Sequence, residues 1–212
     1  MHGKSNQTMG KAALGMALTL MFTAAPSAFA AGEKVWYGGV GVGQSKIKED
    51  MICNALAGIP GVSCSEDKKD TAWRIYGGNQ FSKYGAVEFG YRNLGEGKAN
   101  IDILGNAGDV TWKAKGFDIA LVGTLPVSDS IGILGRIGMF HWDVDASAGG
   151  VLSAAGSEKA AGSSLTYGIG AQFGVAKDIA MRVELERMKD VGNDSVGKSD
   201  LDVMSVGVTF NF

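Results

Sequence analysis

The sequence predicts an all-β protein: an eight-stranded antiparallel up-and-down transmembrane β-barrel that follows an export signal. Three observations support this prediction. Apolar residues alternate with small or polar residues in eight segments of the chain. The connections between these segments are alternately short and long, as in a barrel whose two ends face different surroundings. After residue 30, no stretch has the ~20 apolar residues of a membrane helix, so an exported chain that enters a membrane has to close into a barrel.

The composition excludes several other classes of protein. The 212 residues include 33 glycines and 3 prolines, 45% are hydrophobic, and the formal net charge is −2. The glycines have no three-residue period, so the chain is not collagen-like, and its apolar content argues against disorder. It lacks the positive charge of a nucleic-acid binder. Two histidines and two cysteines are too few for a dedicated zinc or iron–sulfur site. We therefore expect no cofactor, no metal and no nucleic-acid partner.

The first thirty residues have the features of a secretory signal peptide. Lys4 and Lys11 precede an uncharged, mostly apolar stretch over 12–25, and Ala28 and Ala30 fit an A-x-A cleavage site. We predict cleavage after Ala30, which divides the chain into a signal peptide (1–30) and a barrel domain (31–212). Met1 and Met9 are both candidate starts. The alternative is an amphipathic helix that stays in the mature protein.

Alternation places the predicted strands and their connections. Three connections are short (80–83, 126–129 and 177–178), and four are long (47–70, 95–110, 145–164 and 190–198). Short turns face the periplasm in outer-membrane barrels, and an even strand number puts both termini there. The predicted strands are Lys34–Lys46, Thr71–Asn79, Tyr84–Leu94, Thr111–Leu125, Ser130–Val144, Leu165–Ala176, Ile179–Lys189 and Ser199–Phe212.

One face of each strand is apolar and the other mixes glycine with charged residues. In the fourth strand, Ile119 and Leu121 alternate with Asp118 and Ala120. Glycine suits a crowded lumen, and arginine pairs well with carboxylates where water is scarce. We therefore predict that the apolar face meets lipid and the charged face lines the lumen. Aromatic residues near both strand ends are typical of two membrane interfaces. The alternative is a soluble barrel, such as a lipocalin, with its apolar face inside.

Three segments carry a resemblance to a known family. They are Val35-Trp36-Tyr37-Gly38-Gly39-Val40-Gly41, the stretch from Gly77 to Tyr91, and the final Phe210-Asn211-Phe212. With the alternating strands, they resemble the transmembrane domain of the outer membrane protein A family over essentially all of Val35–Phe212. Because the chain stops at Phe212, its barrel-only relatives, such as outer membrane protein X and the neisserial surface proteins, are the better comparison.

The resemblance implies where the protein is located and what it contacts. It implies the Gram-negative outer membrane, with membrane lipids and lipopolysaccharide as neighbours. In such barrels the last strand is the signal that the outer-membrane assembly machinery reads, which gives Phe212 that role here. We expect a monomer with a structural and surface-interaction role and no enzymatic activity.

The predicted lumen contains eight charged residues that must be paired. An eight-stranded barrel leaves an interior that side chains just fill, and an unpaired buried charge is costly. We predict that paired charges plug the lumen and that Glu88, Asp118 and Glu184 accept hydrogen bonds from the arginines. The alternative is a solvated lumen, which would make the protein a narrow ion-permeable pore. The predicted network consists of Arg74, Glu88, Arg92, Asp118, Arg136, Arg182, Glu184 and Glu186.

Two further groups of residues suggest specific chemistry in or near the long connections. Cys53 and Cys64 lie in the first long connection of an exported chain, so we predict a disulfide; the alternative metal site lacks two ligands. His141 lies near Asp143 and Asp145, and alternation points it outward with Met139. We interpret His141 as an interfacial polar residue. The alternative is a lipid A-modifying enzyme acting at the outer surface.

Overall fold

The computed structural model describes residues 35–48 and 51–212, so the predicted signal peptide lies outside the described residues. Nine strands account for most of this part of the chain, together with one short α-helix, α1 (Met51–Leu56), and a 3₁₀ turn at Ser153–Ala155. The strands are β1 (Val35–Ile47), β2 (Val62–Asp67), β3 (Lys69–Ser82), β4 (Gly85–Ile103), β5 (Asn106–Pro126), β6 (Ile131–Gly150), β7 (Ser157–Ala176), β8 (Ile179–Asn193) and β9 (Gly197–Asn211).

The strands form a closed antiparallel barrel with eight strand positions. Each strand from β3 to β8 pairs with the next in sequence, and β1 pairs with both β3 and β9. The ninth strand, β2, pairs with the end of β4 beyond β3, from Asp67↔Lys98 to Val62↔Ile103. β2 and β3 therefore follow one another along the same edge of β4 and occupy one position. This ring confirms the predicted fold class.

Three of the predicted long connections (95–110, 145–164 and 190–198) are mostly strand, so that part of the prediction was wrong. β4 and β5 form a hairpin that closes at Leu104 and Gly105, both with positive φ, as tight hairpin turns require. A β-bulge between Asn93 and Glu96 explains the error at 95–110, since it moves the inward-facing positions of β4 from even to odd numbers. β8 has a similar irregularity between Met188 and Val191, where the predicted strand ends.

The two parts of the barrel have opposite polarity. Near the short turns the outer face is apolar and the lumen is charged, whereas near the long connections the outer face is polar and the lumen is apolar. In the part nearer the short turns, Phe89, Ile119 and Leu121 are exposed on the outer face and Asp118 is buried. This excludes the soluble barrel with an apolar lumen at this level. Nearer the long connections, Trp112 and Ala114 of β5 face inward, and Lys113 and Lys115 face outward. The outer wall there is suited to water rather than to lipid acyl chains.

Aromatic side chains mark the two boundaries of the apolar band on the outer face. Trp36 and Phe212 are exposed near the short turns. Toward the other end, Trp73, Tyr91 and Phe117 form a row with ring-centre separations of 5.7 and 5.0 Å. Such belts are typical of the two interfaces of an outer-membrane barrel. Within residues 35–48 and 51–212, no helix has the length and apolar character needed to cross a membrane.

Candidate functional site

Asp118 on β5 is the centre of a buried charge network in the lumen. Its carboxylate accepts hydrogen bonds from three arginines: Arg74 Nη2 at 2.7 Å, Arg92 Nε at 3.0 Å and Arg136 Nη2 at 3.0 Å. The three arginines come from β3, β4 and β6, so the interactions join four strands across the interior. Charge-assisted bonds of this kind are the stronger hydrogen bonds in proteins.

Glu88 and Glu186 complete the network on either side of Asp118. Glu88 accepts from Arg182 Nη1 at 2.6 Å and from Arg74 Nη1 at 3.1 Å. Glu186 lies 3.0 Å from Arg92 Nη1 and 3.1 Å from Arg136 Nη1. Four arginines and four carboxylates are buried together, so their formal charges cancel.

The structure brings the eight predicted lumen residues together but changes one role. Glu184, which we expected to be a main acceptor, is 3.9 Å from its nearest arginine nitrogen, on Arg136. Glu186 takes that place with its two shorter contacts. The alternation pattern puts both glutamates on the same face of β8. It does not determine which of them reaches the arginines.

A glycine on β4 provides the space for these long side chains. Gly90 is opposite Asp118 in the register of β4 and β5. A Cβ atom at this position would lie 2.8 Å from Arg74 Nε and 2.9 Å from Asp118 Oδ1, which is too close for either contact to persist. The absence of a side chain at Gly90 therefore allows Arg74 to reach across β4 to Asp118.

A layer of tyrosine and apolar side chains closes the lumen on the short-turn side of the network. Tyr37 donates from its hydroxyl to Glu88 Oε1 at 3.0 Å, and the hydroxyls of Tyr76 and Thr209 are 2.7 Å apart. The guanidinium of Arg74 lies 4.6 Å from the ring centre of Tyr76, a cation–π distance. The buried residues that form this layer are Tyr37, Tyr76, Ala86, Val122 and Leu134.

A larger apolar layer closes the lumen on the long-connection side, and sequence reasoning missed it. Phe140 at its centre is completely buried. The signal was present as the reversed alternation described above, in which Trp112 and Ala114 alternate with lysines and Trp142 and Val144 alternate with polar residues. The layer consists of Ala72, Leu94, Trp112, Ala114, Phe140, Trp142, Val144, Met188, Val191, Val196, Leu201 and Val203.

An open cavity, which we call the cup, lies beyond this apolar layer at the long-connection end. Its volume is about 500 Å³. Trp112 and Val196 belong both to the apolar layer and to the lining of the cup, so the layer forms the floor of the cup. The walls come from the ends of several strands and from α1, which contributes Leu56. The sequence prediction did not include this cavity.

A disulfide holds the α1 segment to the barrel wall. Cys53 on α1 is bonded to Cys64 on β2, with their Cα atoms 5.4 Å apart. The backbone N–H of Cys53 also donates to Glu66 Oε1 at 2.9 Å. β2 is paired with β4, so these bonds fix α1 to the wall beside the cup.

His141, the other residue singled out from the sequence, lies on the outer face. Its Nδ1 is 3.0 Å from Ser163 Oγ on the neighbouring strand β7, and the pair is exposed. Asp145 forms ion pairs with Lys159 at 3.1 Å and Lys115 at 3.9 Å instead of with His141. In the described part of the chain, no three His, Cys, Asp or Glu residues are grouped so that they could hold a metal ion.

Comparisons with known proteins agree with this architecture. The family model of the OmpA-like transmembrane domain matches residues 31–212. The chain is 27% identical over 209 residues to outer membrane protein A of Yersinia pseudotuberculosis serotype I (strain IP32953). That match covers 96% of this chain and 56% of the relative, so the chain spans little more than half the relative's length.

Two solved structures are similar in fold. Ail, the attachment invasion locus protein of Yersinia pestis, in complex with the heparin analogue sucrose octasulfate, gives a TM-score of 0.51 at 17% identity, covering 85% of this chain and 100% of Ail. Neisserial surface protein A gives 0.54 at 10% identity, covering 84% of this chain and 97% of that protein. At these identities the likeness concerns the fold alone.

Proposed function

Because this chain belongs to the family of OmpA-like transmembrane domains, we propose that it is an outer-membrane barrel that is closed to solutes and displays its long hairpins for interactions outside the cell. The family and the matching relative are proteins of the Gram-negative outer membrane, and this chain is located there. Short turns face the periplasm in such barrels. The cup and the long hairpins then face the medium.

The observation that carries the proposal of a closed barrel is the filled lumen. An ion that crosses the barrel has to pass two apolar layers and the charge network between them. In that network Glu88 and Asp118 are buried and already bonded to arginines. Displacing these bonds, or taking an ion through the apolar layer around Phe140, carries a large desolvation cost. The barrel wall therefore acts as a stable support and not as a conduit.

The hairpin β4–β5 supports the proposal of an interaction surface. Its outer face carries charges of both signs, and they are paired with one another. Lys113 Nζ is 2.9 Å from Glu96, and Lys98 Nζ is 3.5 Å from Asp109. A polar face of mixed charge keeps an exposed strand pair soluble and offers hydrogen-bonding groups to a partner.

A conductance measurement tests the proposal of a closed barrel. The full chain, reconstituted in a planar bilayer in concentrated KCl, should give no discrete conductance steps. The same preparation should migrate differently with and without heating on a detergent gel, which shows that a folded barrel was inserted. Steady unitary steps from such folded material would contradict the proposal and would support the narrow pore.

The C-terminal strand supports a role in assembly. Phe212 is 80% exposed on the outer face, and its backbone N–H donates to the carbonyl of Trp36, at 2.8 Å, which joins the two ends of the chain. We propose that the assembly machinery reads this residue and that the finished barrel is a monomer in contact with outer-membrane lipids and lipopolysaccharide. Phe212→Ala should reduce the amount of barrel in the membrane, whereas Phe210→Ala is the matched control on the same face.

A second candidate function is hydrolysis of a lipid ester at the outer surface, and it rests on the contact between His141 and Ser163. A serine hydroxyl next to an imidazole can act as a nucleophile with its base. His141→Ala and Ser163→Ala should each abolish any change in lipid A acylation that the wild-type protein produces. Unchanged acylation in cells with and without the wild-type protein would contradict this function.

A further inference from the structure

We propose that the cup binds a small, neutral, mostly apolar molecule from the medium, and that this ligand carries a hydrogen-bond acceptor. The cup has a volume of about 500 Å³, within the ~300–1,000 Å³ range of small-molecule pockets. Its lining is mostly apolar, with residues from several strands and loops. The main ones are Ile47, Ile101, Val110, Trp112, Leu152 and Val196.

Small residues on the inner wall create this space. Ala99, Ala146 and Ala148 line the cup on β4 and β6, where larger side chains would fill it. Below the cup, the same lumen is packed with Phe140, Trp142 and Met188. The described residues are therefore close-packed in the layer and leave an apolar hollow above it. A contiguous apolar surface that is open to water, at the end of the barrel that faces the medium, is a typical sign of a binding site.

The floor of the cup supplies an unused hydrogen-bond donor. Trp112 is 6% exposed, and within the described residues its indole Nε1 has no hydrogen-bond acceptor. Trp142 in the same layer shows the usual arrangement, since its Nε1 donates to Ser164 Oγ at 2.8 Å. A buried indole N–H normally finds an acceptor. Because Nε1 is itself buried, a carbonyl or ether oxygen on the ligand has to enter the floor between neighbouring side chains to complete the bonding of Trp112.

Two charged groups that line the cup, Lys98 and Glu66, already have partners, and this favours a neutral ligand. Lys98 is paired with Asp109 at 3.5 Å. Glu66 accepts from the backbone of Cys53 at 2.9 Å. A ligand with its own charge would find these groups engaged. Most of the surface that the cup offers is apolar, and Trp112 adds a donor without an acceptor.

The cup is a dead end, so it suits binding rather than passage. Its floor is the apolar layer around Phe140, and the charge network lies beneath that layer. The disulfide fixes α1, and with it Leu56, at the side of the cup. A ligand that enters from the medium leaves by the same opening.

Nuclear magnetic resonance of the full chain in lipid nanodiscs tests this proposal, with camphor as the probe. Camphor is a compact neutral ketone with one acceptor oxygen. The indole N–H signal of Trp112, assigned with Trp112→Phe, should move saturably on titration, while that of Trp142 stays in place. Bornane, the same skeleton without the oxygen, should bind roughly three- to tenfold more weakly, the value of one lost hydrogen bond.

Two matched variants separate the cup from the lipid. Ala148→Trp fills the cup and should abolish the saturable shift, whereas Ala171→Trp, on the lipid-facing wall, should leave it unchanged. The proposal is overturned if the Trp112 signal does not saturate, or if Ala148→Trp responds as the wild type does. Equal affinity for camphor and bornane would overturn the assignment of Trp112 as the donor.

Discussion

Asp118 on β5 and Arg136 on β6 form an ion pair in the middle of the barrel, with Arg136 Nη2 donating to Asp118 Oδ2 at 3.0 Å. The same carboxylate also accepts from Arg74 and Arg92. One side chain thus compensates part of the charge of three buried arginines. Removing it leaves those arginines with fewer partners in a place that water does not reach.

Replacement of Asp118 by asparagine should strongly destabilise the barrel. The side chain keeps its size but loses the negative charge, and breaking a buried ion pair by removing one partner costs about 3–5 kcal/mol. The free energy of unfolding, measured by urea titration in lipid vesicles, reports the loss. Asp143→Asn is the matched control, because Asp143 is exposed on the outer face, and it should change stability by less than ~0.5 kcal/mol. Equal effects of the two variants would show that the network contributes nothing.

Opening the lumen should require changes in the charge network and in both apolar layers that enclose it. Arg136→Ala removes one arginine from the network but leaves Phe140 and the apolar layer in place, so this variant should lose stability and remain silent in a planar bilayer. The triple variant Arg136→Ala/Phe140→Ala/Tyr76→Ala removes side chains from the network and from the apolar layers on both sides of it, and it should show conductance steps. Arg187→Ala, an arginine on the outer face paired with Asp202, is the control for the loss of an arginine. A conducting Arg136→Ala single variant would mean that the apolar layer is not a barrier.

The disulfide should stabilise α1 locally and leave the barrel wall largely unchanged. The two cysteines are 11 positions apart in the sequence, and for a loop of this length chain entropy predicts a stabilisation of about 2–3 kcal/mol. In Cys53→Ser/Cys64→Ser, hydrogen exchange should become faster in α1 and β2, while exchange in β5 and β6 should stay slow. Reduction of the wild-type protein should reproduce this pattern. Unchanged protection of α1 in both cases would contradict the prediction.

The end of the β8–β9 hairpin, beyond the aromatic belt, should loosen in acid. Partial burial by itself raises the pKa of Asp200, but the hydrogen bonds from Lys189 Nζ and from the backbone N–H of Asp190 outweigh it, so the pKa lies below the usual range. A carboxyl with a lowered pKa stabilises the folded state above its unfolded pKa, and this contribution disappears as the pH falls through the folded value.

A carboxyl titration followed by nuclear magnetic resonance checks this prediction. The midpoint for Asp200 should lie below the reference of about 3.9, and Lys189→Ala should raise it. Lys113→Ala is the matched control, because Lys113 is paired with Glu96 on another hairpin, and the midpoint of Asp200 should not move in that variant. A midpoint of Asp200 that is the same in Lys189→Ala as in the wild type would contradict the role of this pair.

Much of the architecture was predictable because alternation is a local property of the chain. Residues such as Ile119 and Leu121 have to share one face of a strand, and Asp118 has to lie on the other. Glycine and arginine on the charged face then indicated which face is the lumen. The bulge between Asn93 and Glu96 was not predictable in this way. It reverses the alternation at a position where the sequence alone reads as the end of a strand.

By itself, the sequence determined that the chain forms a barrel, which residues share a face, and that eight charged side chains meet inside. Only the tertiary structure decided that Glu186 replaces Glu184 as an acceptor, that Trp112 and Phe140 close the lumen above the charges, and that a cup lies beyond them. The physical reason is that alternation determines whether a side chain faces the lumen or the outside, but not its position along the barrel axis. Register and bulges determine that position. Apolar residues change from the outer face to the lumen where the outer wall passes from lipid into water.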